Sequence, residues 1–126
     1  MKLRIKGNSL RLRVSPSEIK RLLNSGRIEE TICFAPEQDE KLTYALECAP
    51  CEKEIAVRYR PQELTVVLSN DGARKWAGEE QVGIYGSVDI GGSQLELAVE
   101  KDFACLDADD ADNADTFPNP KSGVSC

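Results

Sequence analysis

Leu10-Arg11-Leu12-Arg13-Val14-Ser15-Pro16-Ser17-Glu18 runs a strand straight into a helix. Apolar and basic residues alternate with a period of two, which puts one face of a strand in a core and the other in water. Ser15 can cap the following helix, Pro16 fits its first position, and Glu18 completes a capping box. Ile19, Leu22 and Leu23 then fall at helical spacing, and Gly26 suits the residue just past the C-terminus. The same grammar returns at Leu64-Thr65-Val66-Val67-Leu68-Ser69-Asn70-Asp71, with Ala73, Trp76 and Ala77 as the apolar side of a second short helix.

Working outward, Lys2-Leu3-Arg4-Ile5-Lys6 alternates as well, and Gly7-Asn8 predicts a hairpin turn into the next strand, with one long bulged strand as the alternative. Strands are expected at 28–34 and 42–48, joined by the polar segment 36–41. In the second half they are expected at 55–60, 63–68, 82–90 and 94–99, with turns at Pro61-Gln62 and Gly91-Gly92. Shifting the first half by 54 positions lays Leu3 on Val57, Ile5 on Tyr59, Leu10 on Leu64, Val14 on Leu68, Ser15 on Ser69, Leu22 on Trp76 and Ile28 on Val82. The last strand aligns with one residue deleted, Leu42 on Leu95. The expected fold is therefore α+β: two pseudo-symmetric ββαββ repeats, about 2–48 and 55–101, whose mainly antiparallel strands form a barrel-like or two-sheet core with two short helices. The domain is expected to span 1–106. Residues 107–126 read as an acidic, proline-containing tail, with Phe117 its one anchor able to dock on the domain.

With 126 residues the chain has the size of one domain and needs no staples. It has no apolar run long enough for a membrane helix, and its N-terminus lacks the apolar core of a signal peptide, so a cytoplasmic protein is expected. The five cysteines, an odd number, read as reduced thiols. The complete lack of histidine excludes Ser-His and Cys-His nucleophile pairs and any His-ligated metal.

The opening Met1-Lys2-Leu3-Arg4-Ile5-Lys6-Gly7-Asn8-Ser9-Leu10-Arg11-Leu12 resembles the start of a family of small bacterial proteins of unknown function. The closing Glu100-Lys101-Asp102-Phe103-Ala104-Cys105-Leu106, followed by an acidic stretch and Phe117-Pro118-Asn119-Pro120, is similar to the end of the same family. The resemblance covers nearly the whole chain. It implies a bacterial protein that stands alone, and it brings no activity, cofactor or catalytic residue.

Three constellations could carry chemistry. Cys48-Ala49-Pro50-Cys51 is a CxxC, whose thiolates could grip a metal ion or close a reversible disulfide. Under the shift Cys51 falls on Cys105, making Cys105 its potential third member. No cofactor is predicted outright; zinc or another divalent metal is what such a cluster would take. The bland alternative is small residues at a strand end. Asp107, Asp109, Asp110, Asp112 and Asp115 could offer oxygen ligands to a cation, but they lack the glycine and glutamate of an EF-hand loop, and a solvated tail is the plainer reading. The third is basic. Residues 1–27 carry eight Lys/Arg against one acid, while the chain as a whole has net charge −6. Lys2, Arg4, Lys6, Arg11 and Arg13 should share one sheet face and could hold an anion. The plainer reading pairs them with Glu29, Glu47, Glu96 and Glu100 across strands.

No phosphate loop, dinucleotide fingerprint or GxSxG elbow is present, and Glu29-Glu30 and Glu79-Glu80 read as solvated pairs. The reading leans away from an enzyme. The leading expectation is a small non-catalytic binding or protein-interaction module with a protein partner or a homodimer through a sheet edge. The alternative is a metal-binding or thiol-redox protein using Cys48, Cys51 and Cys105. A third is an enzyme using Cys105 with tail carboxylates. Nucleic-acid binding is disfavoured by a pI near 4.7 and few exposed rings.

Overall fold

The computed structural model describes residues 1–103 and Phe117. Eight strands and two helices follow in the order β1 (Lys2–Lys6), β2 (Ser9–Val14), α1 (Pro16–Ser25), β3 (Arg27–Cys33), β4 (Lys41–Ala49), β5 (Ile55–Arg60), β6 (Glu63–Ser69), α2 (Asn70–Gly78), β7 (Gly83–Asp89) and β8 (Gln94–Lys101). The chain is α+β and its core lies between two sheets, without a closed barrel.

Both helices begin as their caps dictate. The Glu18 backbone N–H donates to Ser15 Oγ, and the Ser15 N–H donates to the Glu18 carboxylate at 3.0 Å. Gly26 ends α1 in the left-handed region at φ 83°, where a side chain would strain. Ser69 Oγ accepts from the Gly72 N–H at 3.0 Å to open α2. Leu22 and Trp76 project from the two helices into the core and are fully buried.

Each sheet has a mixed order that hairpins alone would not produce. One runs β1-β2-β8-β7 and the other β3-β4-β6-β5. In both, two antiparallel hairpins meet at a central parallel pair, β2 with β8 and β4 with β6. Every hairpin is thus local in sequence, while each sheet is completed by a hairpin from the other half of the chain. The helices supply the crossovers from one sheet to the other.

This topology sorts the two ends of the sandwich. The helices touch each other and lie at the end where β2, β4, β6 and β8 finish. All four hairpin turns lie at the other end. There they join in pairs: Asn8 Nδ2 donates to the Gln94 carbonyl at 2.8 Å, and Gln62 Nε2 donates to the Asp39 carbonyl at 2.6 Å. Near the helices the inward side chains Leu12, Val14, Leu46, Leu68, Ile84 and Val99 are buried. Toward the turns the inward face opens. Tyr59, inward by strand parity, is 71% exposed.

The gapless 54-residue offset does not reach β7. Ile28 pairs with Leu46 and is buried; the buried position of β7 is Ile84, paired with Val99, whereas Val82 lies before the strand and is 41% exposed. The cause is the connection. One residue, Gly26, separates α1 from β3, but residues 79–82 separate α2 from β7.

β5 and β7 face each other across the sandwich, and Gly86 makes this approach feasible: a Cβ there would sit 2.4 Å from Ile55 Cγ2. On the opposite side the sheets are joined by the Met1 ammonium, which pairs with Glu18 and, at 2.9 Å, with Glu30 of β3. Finally, Phe117 docks on the domain. Its N–H donates to the Asp102 carbonyl at 2.7 Å, it forms a parallel bridge with Phe103, and the two rings meet edge-on at 6.0 Å.

Candidate functional site

The outward face of the β1-β2-β8-β7 sheet can be built row by row from the strand registers. The row nearest the helices reads Lys2, Arg13, Glu100, Gly83. The next reads Arg4, Arg11, Ala98, Tyr85, and the third Lys6, Ser9, Glu96, Ser87. All five cations expected to share a face therefore do so, on two adjacent strands. Lys2 sits directly opposite Arg13, and Arg4 directly opposite Arg11. Like charges in such positions repel, and each pair costs up to about 1 kcal/mol.

Part of this charge is answered locally. Lys2 Nζ lies 3.0 Å from the Asp102 carboxylate, and Arg11 Nε lies 3.1 Å from Glu100. Glu100 also accepts from the Tyr85 hydroxyl at 2.7 Å; burial and that carboxylate push the Tyr85 pKa up to about 12, so the ring stays neutral and a donor. Arg4, Lys6 and Arg13 make no ion pair among the described residues. Beside the cations lies a shallow groove of about 420 Å³, whose small residues Ser9, Ser87 and Ala98 lie between Arg11, Tyr85 and Glu96.

The outward face of the other sheet carries the same residue classes with a different outcome. Arg27 and Arg58 both reach Glu47, at 3.0 and 3.1 Å, over the buried Thr65 and Ala45. Hydrogen bonds from Arg58, then from Arg27, hold the Glu47 carboxyl below its usual range against the opposing effect of burial. Glu29 pairs with Arg27 at 3.1 Å. Of the four expected acidic partners, Glu47, Glu100 and Glu29 thus engage arginines. Those arginines are Arg11, Arg27 and Arg58, and Arg4 and Arg13 are not among them.

The thiols are placed apart in kind. Cys48 is on the inward face of β4, packed against the core, and burial pushes its thiol pKa up. A thiol so placed is a poorer ligand and nucleophile, because both roles need the thiolate. Cys51 lies past the strand, its Sγ donating to the Lys53 carbonyl at 3.1 Å. Cys33 is exposed on β3. Among the described residues no group of three or more Cys, Asp or Glu is arranged to hold a metal ion. Cys105 and the run Asp107, Asp109, Asp110, Asp112 and Asp115 lie outside the described residues.

The sequence reading missed the groove. Alternation along β7 and β8 already puts Tyr85, Ser87, Glu96 and Ala98 on one face. Nothing in the sequence said that β8 lies beside β2, which is what brings Arg11 to Glu100 and Ser9 to Glu96.

The family of unknown function DUF7009 matches residues 1–121. The chain belongs to that family. The match takes in both helices and all eight strands of the described residues, the five cations and Phe117. No curated protein matches the chain, and no solved structure does. No helix among the described residues is long and apolar enough to cross a membrane.

Proposed function

We propose that this protein is a small, non-catalytic interaction module that holds an acidic partner protein on the basic outward face of the β1-β2-β8-β7 sheet. One observation carries the reading: Lys2 opposite Arg13 and Arg4 opposite Arg11, with Lys6 in the next row and Arg4, Lys6 and Arg13 unpaired among the described residues. Like charges placed in register cost the folded chain stability. An anionic partner removes that repulsion on binding and gains steering from it. Glu96 and Glu100 on the same face favour a partner with discrete carboxylates over a continuous polyphosphate.

The scaffold reading belongs to the same proposal. Two pseudo-symmetric ββαββ units are supported by register arithmetic. Lys2 pairs with Arg13, and Ala56 with Val67, each 54 further on; Ser9 pairs with Glu96, and Glu63 with Thr43, offset by +54 and −53. On this view the β3-β4-β6-β5 sheet, built from both units, neutralised its face with the Arg27, Glu47 and Arg58 cluster, and the β1-β2-β8-β7 sheet kept its charge for a partner. A reducing, cytoplasmic setting suits the free thiols at Cys33, Cys48 and Cys51.

Fluorescence anisotropy with labelled polyaspartate tests this. Binding is expected at low ionic strength, weakening steeply as salt rises. It should fall by about tenfold or more, roughly 1.4 kcal/mol, when Lys2, Arg4 and Lys6 are changed together to glutamate. No binding at low salt, or binding that ignores the triple change, would sink the proposal.

A further inference from the structure

We infer that β1 is a docking edge that takes an extended partner peptide as an added strand, and that the peptide alternates acidic with apolar residues. The inference rests on the basic-face reading and names the mode and pattern of recognition. β1 ends its sheet and pairs with β2 alone among the described residues. Half of its backbone N–H and C=O groups therefore point away from β2, toward whatever lies alongside. Its outward side chains are Lys2, Arg4 and Lys6, spaced by about 7 Å along the strand. Its inward side chains are Leu3 and Ile5.

Ile5 decides the pattern. It faces the interior of the sandwich by parity yet is 61% exposed, and Ile32 on β3 is 48% exposed. On the β5/β7 side the sheets close through Ile55 against Gly86. On the β1/β3 side the Met1–Glu30 ion pair ties them near the helices, and among the described residues nothing covers Ile5 and Ile32 beyond it. A strand laid along β1 thus meets cations on one face and an open apolar seam on the other. Only a chain that alternates carboxylates with apolar side chains satisfies both. A nucleic acid supplies no such apolar row. A second copy pairing β1 antiparallel with β1 would set cation against cation. Basic residues on an edge also deter self-pairing, and that simpler role predicts no dependence on the partner's backbone.

The probe is a labelled hexapeptide alternating aspartate and valine, titrated into the full chain. It is compared with the same peptide N-methylated at every second amide, and with an isomer of the same composition in two blocks. The expected result is binding of the alternating peptide, with at least about a tenfold loss for both controls. The variant Arg4→Gln, which removes one charge without reversing it, should weaken binding in a chain whose circular dichroism is unchanged. If all three peptides bind alike and Arg4→Gln still weakens them, strand addition is overturned while the basic face stands. If none binds and polyaspartate does not either, both readings fall. If the alternating peptide binds only after Asp107, Asp109, Asp110, Asp112 and Asp115 are changed to asparagine, the chain's own acidic run is the occupant and the external peptide is overturned.

Discussion

Gly86 and Ile55 show how one missing methyl group sets the spacing of the two sheets. Gly86→Ala would drive a Cβ to 2.4 Å from Ile55 Cγ2, so the sheets must part or Ile55 must leave its place. Overpacking of this kind costs about 1–3 kcal/mol. Truncating Ile55 to alanine is costly on its own, but the double variant should cost less than the sum of the two; urea denaturation of all four proteins would show additivity if the contact does not matter. Glu18 is the second residue with outsized effect. Burial opposes its charge, but hydrogen bonds from the Met1 ammonium and from Ser15 outweigh that and hold its carboxyl below the usual 4.5. A carboxyl with a lowered folded pKa stabilises fully above about 4.5 and loses that contribution as pH falls through its folded value. Glu18→Gln should therefore cost about 1 kcal/mol at neutral pH. The gap to the parent should close progressively below about pH 4.5; a gap independent of pH in paired melts would contradict the assignment.

At the scale of elements, the capped helix starts were legible because their determinants are neighbours in sequence. Ser15 and Glu18 name their own partners, and Ser69 does the same. Ser69→Ala should cost about 1 kcal/mol by loss of the cap on Gly72. The hairpins were legible for the same reason, since Gly7-Asn8 and Pro61-Gln62 close strands only a few residues apart. The start of β7 was not. Val82 and Ile84 are both apolar at strand parity, and only the longer connection after α2 puts Ile84 in the core. The β1-β2 hairpin carries a prediction of its own. Because Arg4 sits opposite Arg11, Arg4→Gln should raise stability by a few tenths of a kcal/mol at low salt. The gain should vanish at high salt, where the repulsion is screened; a loss of stability at low salt would mean that Arg4 has a partner in the folded chain.

For the whole molecule, the arrangement of two sheets around one core depends on contacts that no local pattern encodes. The central parallel pairs, β2 with β8 and β4 with β6, join strands from opposite halves of the chain. They also explain Phe117. β8 is a central strand of its sheet, and just past its end the Asp102 carbonyl and the Phe103 ring receive Phe117. Lys101 Nζ lies 5.4 Å from the Phe117 ring and donates to the Glu79 carbonyl at 2.7 Å. Phe117→Ala should cost about 1–2 kcal/mol and speed hydrogen exchange in β8 more than in β5, since the ring packs only partly buried against the core beside β8. Apart from the start of β7, local spacing alone dictates the elements, the helix caps, the inward faces and the gathering of Lys2, Arg4, Lys6, Arg11 and Arg13 onto one face. All of these follow from residue spacings of two to four. The tertiary structure alone decided which strands are neighbours, which side of the sandwich closes, and which cations find a carboxylate. Those outcomes turn on contacts between residues as distant as Arg11 and Glu100, where chain entropy and packing act and sequence periodicity is silent.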